Sequence, residues 1–300
     1  MKRDFLTLKD LTPAELTAVV HRASELKKTS FNSATTELLR SRAMDLMLEK
    51  YSTRTRVSFE VACAQFGGSS IFLSPGDSQM SRGESIGDTA QIVSRMADLI
   101  VMRTGAHARL ETMAEHSAVP VINALSDDFH PCQLLADLQT FNEHRGDIRD
   151  AKIAFVGDGS SNVCHSWINA SSMMKFSITV GTPPQYHPKP EIASAAGARC
   201  NVTDNVSEAV KDADLVITDT WAGMGQEKEK AERLALLSAF QVNAEVMDSA
   251  ASDAIFMHCL PAYRGQEVTA DVIDGPKSVV FDEAENRLHA QKALIELLMS

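Results

Sequence analysis

The sequence alternates short apolar segments with amphipathic segments of helical length, and this alternation constrains the fold more than any other feature. Apolar segments of strand length occur at residues 43–48, 70–73, 99–102, 119–123, 152–156, 177–180, 215–218 and 255–258. Helical patterns occur at residues 12–26, 52–66, 86–96, 130–144, 161–174 and 287–299. Strands that alternate with helices are typical of parallel sheets covered by helices. The sequence therefore predicts an α/β protein with two doubly wound parallel-sheet domains joined by helices.

The length and the charge narrow the class of protein further. A chain of 300 residues corresponds to about two domains. Its 29 Lys and Arg residues against 40 Asp and Glu residues give a net charge of −11. Such a surface repels nucleic acid and anionic membranes. It still permits a small anionic ligand in a cleft where basic side chains are concentrated.

The cysteines and the apolar segments exclude other classes. The 5 cysteines are widely spaced without a C-x-x-C pair, which favours reduced thiols over a disulfide framework or a zinc ribbon. No apolar run approaches the roughly 20 residues of a membrane helix, and the amino terminus lacks a signal-peptide pattern. We therefore expect a cytoplasmic protein without a metal or another cofactor.

Ligands in open parallel sheets bind beyond the carboxyl ends of the strands, so the polar segments after the strands are candidate binding positions. Ser52, Thr53, Arg54 and Thr55 follow the first predicted strand and open a helix. Backbone N–H groups, hydroxyl groups and a guanidinium at a helix start suit a phosphate dianion. The alternative is a capped helix with solvated arginines, and this segment alone does not decide between the two.

Two further positions in the first half carry candidate groups. Arg103 ends the third predicted strand, although a single arginine there is more typical of a surface residue. His130 precedes Pro131 at a helix start, where its imidazole can donate to a carbonyl oxygen. A single histidine is more often structural, so each of these residues needs support from the others.

The turn after residues 152–156 begins like a dinucleotide-binding fingerprint. Gly157 and Gly159 fit that pattern, but Asn162 stands at the third glycine position and no acidic residue closes the next strand. A lone G-x-G turn is a weak signal and does not favour NAD. Asn162 at the helix start suits recognition of an amino-acid head instead.

The last two predicted strands also end in polar residues. Asp219 suits an ammonium group, and Cys259 fits a nucleophile, a metal ligand or a polar wall. Adjacent residues of a strand point to opposite faces, so His258 and Cys259 make a poor metal pair or catalytic dyad.

Together these segments resemble the aspartate/ornithine transcarbamylase family, and its ornithine-specific members in particular. The resemblance extends from Asp4 to the last predicted helix. Its specific pieces are Ser52-Thr53-Arg54-Thr55-Arg56-Val57-Ser58-Phe59-Glu60, His130-Pro131-Cys132-Gln133, Asp219-Thr220-Trp221 with Met224-Gly225, His258-Cys259-Leu260-Pro261, and Glu285-Asn286-Arg287. Five pieces in the order of the family, near its spacing, make the resemblance specific.

The resemblance implies a carbamoyl-phosphate domain at 1–133 plus 286–300, an ornithine domain at 134–285, and a homotrimer with shared active sites. It implies transfer of the carbamoyl group to the δ-amine of L-ornithine, which gives L-citrulline and phosphate. The implied catalytic residues are Arg54, Arg103, His130, Cys259 and Arg287. The implied carbamoyl-phosphate ligands are Ser52, Thr53, Arg54, Thr55, Gln79, Arg103, His130, Gln133, Cys259, Leu260 and Arg287, with Gln79 reaching the site of a neighbouring subunit. The implied ornithine ligands are Asn162, Asp219, Gly223 and Met224, and the family's pattern implies a cis peptide at Leu260-Pro261.

One departure leaves alternatives open. Gly223 stands where ornithine-specific members of the family usually carry serine, so one hydroxyl contact to ornithine is missing. The first alternative is a carbamoyltransferase for another amine, such as putrescine. A more remote alternative is a nucleotide-binding oxidoreductase that uses the Gly157 turn.

Overall fold

The computed structural model describes residues 2–28, 37–222 and 230–300. The chain forms two compact units, Met1–Gln139 with Glu285–Ser300, and Thr140–Ala284. The strands are β1 (Ala43–Leu48), β2 (Ser69–Leu73), β3 (Leu99–Arg103), β4 (Val121–Leu125), β5 (Lys152–Val156), β6 (Ser177–Gly181), β7 (Cys200–Thr203), β8 (Leu215–Thr218) and β9 (Ile255–His258). The helices are α1 (Pro13–Lys28), α2 (Thr53–Gln65), α3 (Ile86–Val93), α4 (His107–His116), α5 (Pro131–Arg145), α6 (Asn162–Met174), α7 (Pro190–Ala196), α8 (Val206–Val210), α9 (Lys230–Leu237), α10 (Ala244–Asp248), α11 (Ala270–Ile273) and α12 (Val280–Met299).

The first unit contains a parallel sheet in the order β2-β1-β3-β4. Residues 44–48 of β1 are all buried, on both faces of the strand, which explains why β1 is apolar throughout except for Asp45. Met47, Ile100 and Met102 pack on one face with residues of α3 and α4. The burial of two faces requires helices on both sides of this sheet, as the alternation in the sequence predicts.

The second unit contains a parallel sheet in the order β7-β6-β5-β8-β9. Its core includes Val156 of β5, Val216 of β8 and Phe256 of β9. Two parallel sheets with interleaved helices confirm the predicted fold class. In the described part of the chain, no helix has both the length and the apolar character needed to cross a membrane.

Several elements differ from the prediction, and three of them show the physical reason. Strand β4 begins at Val121 rather than at residue 119, because Pro120 lacks the N–H that a ladder requires. Helix α12 begins at Val280 rather than at residue 287. Its first turn carries Asp282 and Glu283, which interrupt the apolar pattern but are favourable beside the positive end of a helix dipole. Strand β7 (Cys200–Thr203) escaped prediction because it is short and only partly buried.

Candidate functional site

Each sheet places candidate residues on the two strands between which the strand order reverses. In the first unit β1 and β3 are neighbours, and β1 leads outward to β2 while β3 leads outward to β4. Ser52 follows β1 and Arg103 ends β3. A crevice at such a switch point is the usual ligand position in open parallel sheets.

The segment after β1 has the local structure of an anion-binding helix start. Ser52 is the N-cap of α2, and its hydroxyl accepts from the backbone N–H of Thr55 at 3.3 Å. No acidic residue occupies the first turn of α2. The positive end of the helix dipole is therefore not neutralised by the helix itself.

His130 lies buried among three guanidinium groups of the first unit. It immediately precedes the first residue of α5 and is 4% exposed. Burial lowers the pKa of His130 well below its usual range, and the positive charges of Arg287, Arg103 and Arg54 lower it further. The structure thus brings together Arg54, Arg103, His130 and Arg287, which the sequence separates by up to 233 positions. An uncharged imidazole beside three permanent positive charges suits a ligand that carries both a carbonyl and a phosphate.

Arg287 of α12 links the helix starts of α2 and α5. Its side chain is buried, with Nη1 donating to Oε1 of Gln133 at 2.8 Å and Nη2 donating to Oγ1 of Thr55 at 3.5 Å. Nε2 of Gln133 donates to Oδ1 of Asp137 at 2.8 Å. Thr55 and Gln133 therefore lie at the same guanidinium, as the resemblance implies for one shared ligand.

A charged network next to this site did not emerge from the sequence. Glu49 accepts from Nη2 of Arg109 and from the hydroxyl of Thr104, and Nε of Arg109 donates to the same hydroxyl at 3.1 Å. The backbone N–H of Glu49 also donates to the carbonyl of Arg103 at 2.8 Å. The signal available in the sequence was the charged pair Glu49 and Lys50 directly between a buried strand and Ser52.

Among the contacts described for the first unit, none joins the side chain of Gln79 to another candidate residue. It begins a short 3-10 turn, Gln79–Arg82, capped by Ser78, and its side chain is exposed. The exposed side chain is accessible to a neighbouring subunit, and the predicted role of Gln79 stays a prediction.

The second unit gathers its candidates in the same way. Its strand order reverses between β5 and β8. Asn162 follows β5 as the first residue of α6, and Asp219 follows β8. Cys259 follows β9, and its thiol donates to Oδ1 of Asp219 at 3.3 Å. Burial raises the pKa of Asp219, and hydrogen bonds from the Cys259 thiol and from the backbone N–H of Thr220 partly oppose this rise.

His258 and Glu267 form a buried pair that sequence reasoning missed. Nε2 of His258 lies 3.2 Å from Oε1 of Glu267, and both side chains are fully buried. The alternation of side chains along a strand predicts opposite orientations for His258 and Cys259, and the structure agrees, since His258 contacts Glu267 while Cys259 contacts Asp219. The contact with Glu267 forms because the loop after Pro261 folds back towards the end of β9. No local sequence pattern indicates this path of the loop.

The glycine turn after β5 is filled by protein groups. The Asp158 carboxylate pairs with buried Arg233 and accepts from the hydroxyl of Ser160 at 2.6 Å. The N–H of Gly159 donates to Thr182 at 3.2 Å, and a Cβ at Gly159 would lie 2.8 Å from the carbonyl oxygen of Tyr186. The backbone donor that a pyrophosphate would need at Gly159 is therefore already used.

Gly223 and Met224, two of the predicted ornithine ligands, lie outside the described residues. Within the described residues, no group of three or more His, Cys, Asp or Glu side chains is arranged to hold a metal ion. Leu260-Pro261 is a cis peptide, as the resemblance implies.

Comparison with protein families gives two matches that together cover nearly the whole chain. Residues 3–143 match the family described as aspartate/ornithine carbamoyltransferase, carbamoyl-P binding domain. Residues 149–298 match aspartate/ornithine carbamoyltransferase, Asp/Orn binding domain. The carbamoyl-P match contains Ser52, Arg103 and His130, while the Asp/Orn match contains Asn162, Asp219 and Cys259.

Individual proteins give the same result at full length. Ornithine carbamoyltransferase of Methylococcus capsulatus is 54% identical, with 99% of each chain covered. A Pseudomonas aeruginosa protein named "Ornithine carbamoyltransferase, anabolic" is 53% identical, over 99% of this chain and 97% of its own. Among solved structures, ornithine carbamoyltransferase from Pyrococcus furiosus superposes with a TM-score of 0.94 at 44% identity, covering 99% of this chain and 97% of that one.

Proposed function

Because this chain belongs to the aspartate/ornithine carbamoyltransferase family, we propose that it transfers the carbamoyl group from carbamoyl phosphate to the δ-amine of L-ornithine, giving L-citrulline and phosphate. The observation that carries this proposal is the convergence of Arg54, Arg103 and Arg287 on the buried, uncharged His130. Three guanidinium groups match a phosphate dianion, and a neutral imidazole matches the carbonyl next to it.

Carbamoyl phosphate is held by the first unit. The N–H groups and hydroxyls of Ser52, Thr53 and Thr55 bind its phosphate at the start of α2. Arg54, Arg103 and Arg287 neutralise the phosphate charge, and His130 with Gln133 holds the carbamoyl group. Gln79 completes the site of a neighbouring subunit.

The carbonyl oxygen of carbamoyl phosphate is polarised by Thr55, Arg103 and His130. Negative charge develops on this oxygen as the amine adds to the carbonyl carbon, and the three donors stabilise it without a covalent bond to the protein. The bond to phosphate then breaks, the attacking nitrogen loses one proton, and the departing phosphate takes that proton up and leaves as a dianion whose charge is matched by Arg54.

Ornithine is held by the second unit. Asn162 binds the amino-acid head and Asp219 an ammonium group, with Gly223 and Met224 as further contacts. Cys259 and the carbonyl of Leu260 line the reaction centre. The full-length identity to proteins named ornithine carbamoyltransferase supports ornithine over another amine.

The two units also suggest how the protein is organised and where it acts. We assign carbamoyl phosphate to residues 1–133 with 286–300, and ornithine to residues 134–285. A cytoplasmic homotrimer is consistent with the family resemblance. The name of the P. aeruginosa relative supports a role in arginine biosynthesis. Light scattering of the purified protein should give three times the 32.7 kDa of one chain, and a monomer would contradict the shared site.

The direct test is carbamoyl transfer from carbamoyl phosphate to each of three amines, measured as the carbamoylated product of that amine. L-Ornithine should give citrulline, whereas putrescine and L-aspartate should give little or no carbamoylated product. Equal turnover of putrescine would reassign the amine site, and it would identify Gly223 as a position that removes selectivity for the amino-acid head. No product with any of the three amines would refute the proposal.

A further inference from the structure

The ring of His258 joins two segments of the second unit. It lies at the end of β9 and is 1% exposed. Nδ1 accepts the backbone N–H of Leu260 at 2.9 Å, while Nε2 lies 3.2 Å from Oε1 of Glu267. Each ring nitrogen thus has one defined partner, and the partners belong to different parts of the loop after β9.

These two partners determine where the imidazole carries its proton. A nitrogen that accepts a hydrogen bond has no proton of its own, so Nδ1 is bare. The single proton is on Nε2, where it is donated to the Glu267 carboxylate. Such a pattern fixes both the tautomer and the ring orientation, as in other sites where a second hydrogen bond sets the state of a histidine.

Glu267 is itself held in place. Its side chain is fully buried, and Oε1 also accepts the backbone N–H of Tyr263 at 2.5 Å. The backbone N–H of Val242 donates to the carbonyl of Glu267 at 2.9 Å, which anchors the same residue to a neighbouring segment. The Glu267 carboxylate therefore holds the His258 ring at Nε2, while Nδ1 on the opposite side of the ring contacts Leu260.

The segment that His258 contacts is in a disfavoured conformation. Leu260 has a φ of +56°, in the left-handed region that a residue with a branched side chain rarely adopts. Such a conformation persists only where the surroundings determine it. The hydrogen bond from the Leu260 N–H to His258 is a direct restraint on that backbone, and it adjoins Cys259, whose thiol contacts Asp219 at 3.3 Å.

We propose that His258 is a positioning residue: its neutral ring, oriented by Glu267, accepts the N–H of Leu260 and thereby holds the Cys259 thiol and the Leu260 carbonyl where the reaction requires them. The inference rests on the proposed function, since it assigns these two groups to the reaction centre. His258 itself touches neither substrate. It acts through the backbone of the two residues that follow it.

Two isosteric variants separate the two hydrogen bonds of the ring. In His258→Asn, the amide oxygen can occupy the place of Nδ1 and accept the Leu260 N–H, while the contact with Glu267 is lost. In His258→Gln, the amide nitrogen can reach Glu267 as Nε2 does, while Leu260 loses its acceptor. For H258Q we expect kcat to fall on the order of 10- to 100-fold, the range seen when reacting groups are displaced by about 1 Å. For H258N we expect kcat to fall by less than about threefold.

The matched control is His144→Gln. Nε2 of His144 also pairs with a carboxylate, that of Asp282 at 2.8 Å, but this pair is partly exposed and contacts no candidate site residue. H144Q should keep its kcat. The unfolding temperature of each variant must be measured beside kcat, because a purely structural role would change stability without separating the Asn and Gln variants in kcat.

The reactivity of Cys259 provides a measurement that does not depend on turnover. Peptide-resolved alkylation with iodoacetamide should show a changed rate at Cys259 in H258Q but not in H258N, with the half-exposed Cys200 as internal reference. If the wild-type protein makes no citrulline, the proposed function fails, while the alkylation rates still decide whether His258 positions Cys259. Equal behaviour of H258N and H258Q in both kcat and alkylation, or a larger loss in H258N, would overturn the inference.

A measurement on the wild-type protein covers the case in which a variant does not fold. Protein labelled with ¹⁵N-histidine should show the His258 ring as the Nε2–H tautomer, because Nδ1 accepts the N–H of Leu260. A proton on Nδ1 would be incompatible with that hydrogen bond and would overturn the inference.

Discussion

Arg54 and Arg56 lie two positions apart at the start of α2 but have different surroundings. Arg54 is half-buried, and its charge acts on His130. Arg56 is exposed, with Nε donating to Oε1 of Glu60 at 3.0 Å and the guanidinium lying 3.9 Å from the centre of the Phe72 ring. Substitution of either residue by alanine therefore removes one positive charge from the start of α2. Arg54 is a candidate ligand, whereas the Arg56 guanidinium is already paired with Glu60.

Arg54→Ala should lose affinity for carbamoyl phosphate while the fold is kept. A hydrogen bond to a charged group contributes about 1.5–3 kcal/mol, so the dissociation constant should rise by roughly 10- to 150-fold. Isothermal titration with carbamoyl phosphate measures this change. Arg56→Ala should change the same constant by less than about threefold, because its lost contacts are at the protein surface. Unchanged affinity in R54A would remove Arg54 from the phosphate site.

Asp45 is a buried carboxyl in the interior strand β1. It is 2% exposed, and its Oδ2 has no hydrogen-bond partner among the described residues. Burial raises the pKa of Asp45 to about 7, against a weaker lowering by the backbone N–H of Leu46. In the unfolded chain the pKa of this residue is about 3.9. The folded protein therefore binds a proton that the unfolded chain releases between these two values.

The sign of the effect follows from that difference. As the pH rises from about 4 to about 7, the unfolded chain gains the stability of a hydrated carboxylate while folded Asp45 stays protonated, so the wild-type protein loses stability. Asp45→Asn removes the titration. The free energy of unfolding of D45N relative to wild type should therefore rise by about 2 to 3 kcal/mol between pH 5 and pH 8.

Urea unfolding of both proteins at the two pH values measures this difference. Glu115→Gln is the matched control, because it removes a carboxylate of the same unit from an exposed position on α4. Its stability relative to wild type should stay constant within about 0.5 kcal/mol. A constant difference for D45N as well would show that Asp45 ionises in the folded protein as it does in water.

At the scale of elements, the Glu49–Arg109–Thr104 network ties the end of β1 to the end of β3. Arg109 reaches from α4 to Glu49 and Thr104, and the backbone of Glu49 contacts that of Arg103. These strand ends carry the phosphate segment and Arg103. The network therefore holds together the two strand ends whose residues we propose to bind one phosphate.

Arg109→Ala should weaken carbamoyl-phosphate binding although Arg109 has no place among the ligands. Because the pair is partly exposed, we expect a rise in KM of roughly three- to tenfold, smaller than for a direct ligand. Steady-state kinetics with carbamoyl phosphate as the varied substrate measures it. Arg109→Lys should restore part of the loss. Arg40→Ala, which breaks an exposed ion pair with Glu37 in the same unit, should leave KM unchanged, and an equal rise in both variants would refute the positioning role.

The elements that the sequence predicted best are those whose two faces are buried. Strand β1 is apolar from residue 44 to residue 48 except for Asp45, so its existence and limits were predictable. Strand β7 packs only partly into the core and carries no comparable signal. The start of α12 was placed too late because its acidic first turn resembles a loop in sequence.

The candidate site was predictable only in part, for a related reason. Ser52, Arg103 and His130 follow strands, and that rule identifies them one at a time. Contacts such as Glu49 with Arg109, or His258 with Glu267, join residues whose proximity depends on strand order and on the path of a loop. Periodicity in a single sequence does not encode those partners.

For the whole molecule, the reaction should follow the ionisation of ornithine rather than that of the protein. The δ-amine resembles lysine, with a pKa of about 10.4, so its neutral fraction rises about tenfold per pH unit below that value. The pKa of His130 lies well below its usual range, so its imidazole stays neutral throughout. A plot of log kcat/KM for ornithine against pH should rise with a slope near 1 between about pH 6 and pH 9. A flat profile would contradict attack by a free neutral amine.

The cluster of Arg54, Arg103 and Arg287 around an uncharged histidine also bears on what happens after the reaction. Inorganic phosphate leaves with the same double charge that carbamoyl phosphate brought, and the three guanidinium groups cannot lose their protons to release it. His130, buried and neutral, has no positive charge to withdraw either. We therefore expect product inhibition: free phosphate should compete with carbamoyl phosphate for the empty protein, so that the cellular phosphate concentration, and not the supply of substrate alone, sets the rate of turnover.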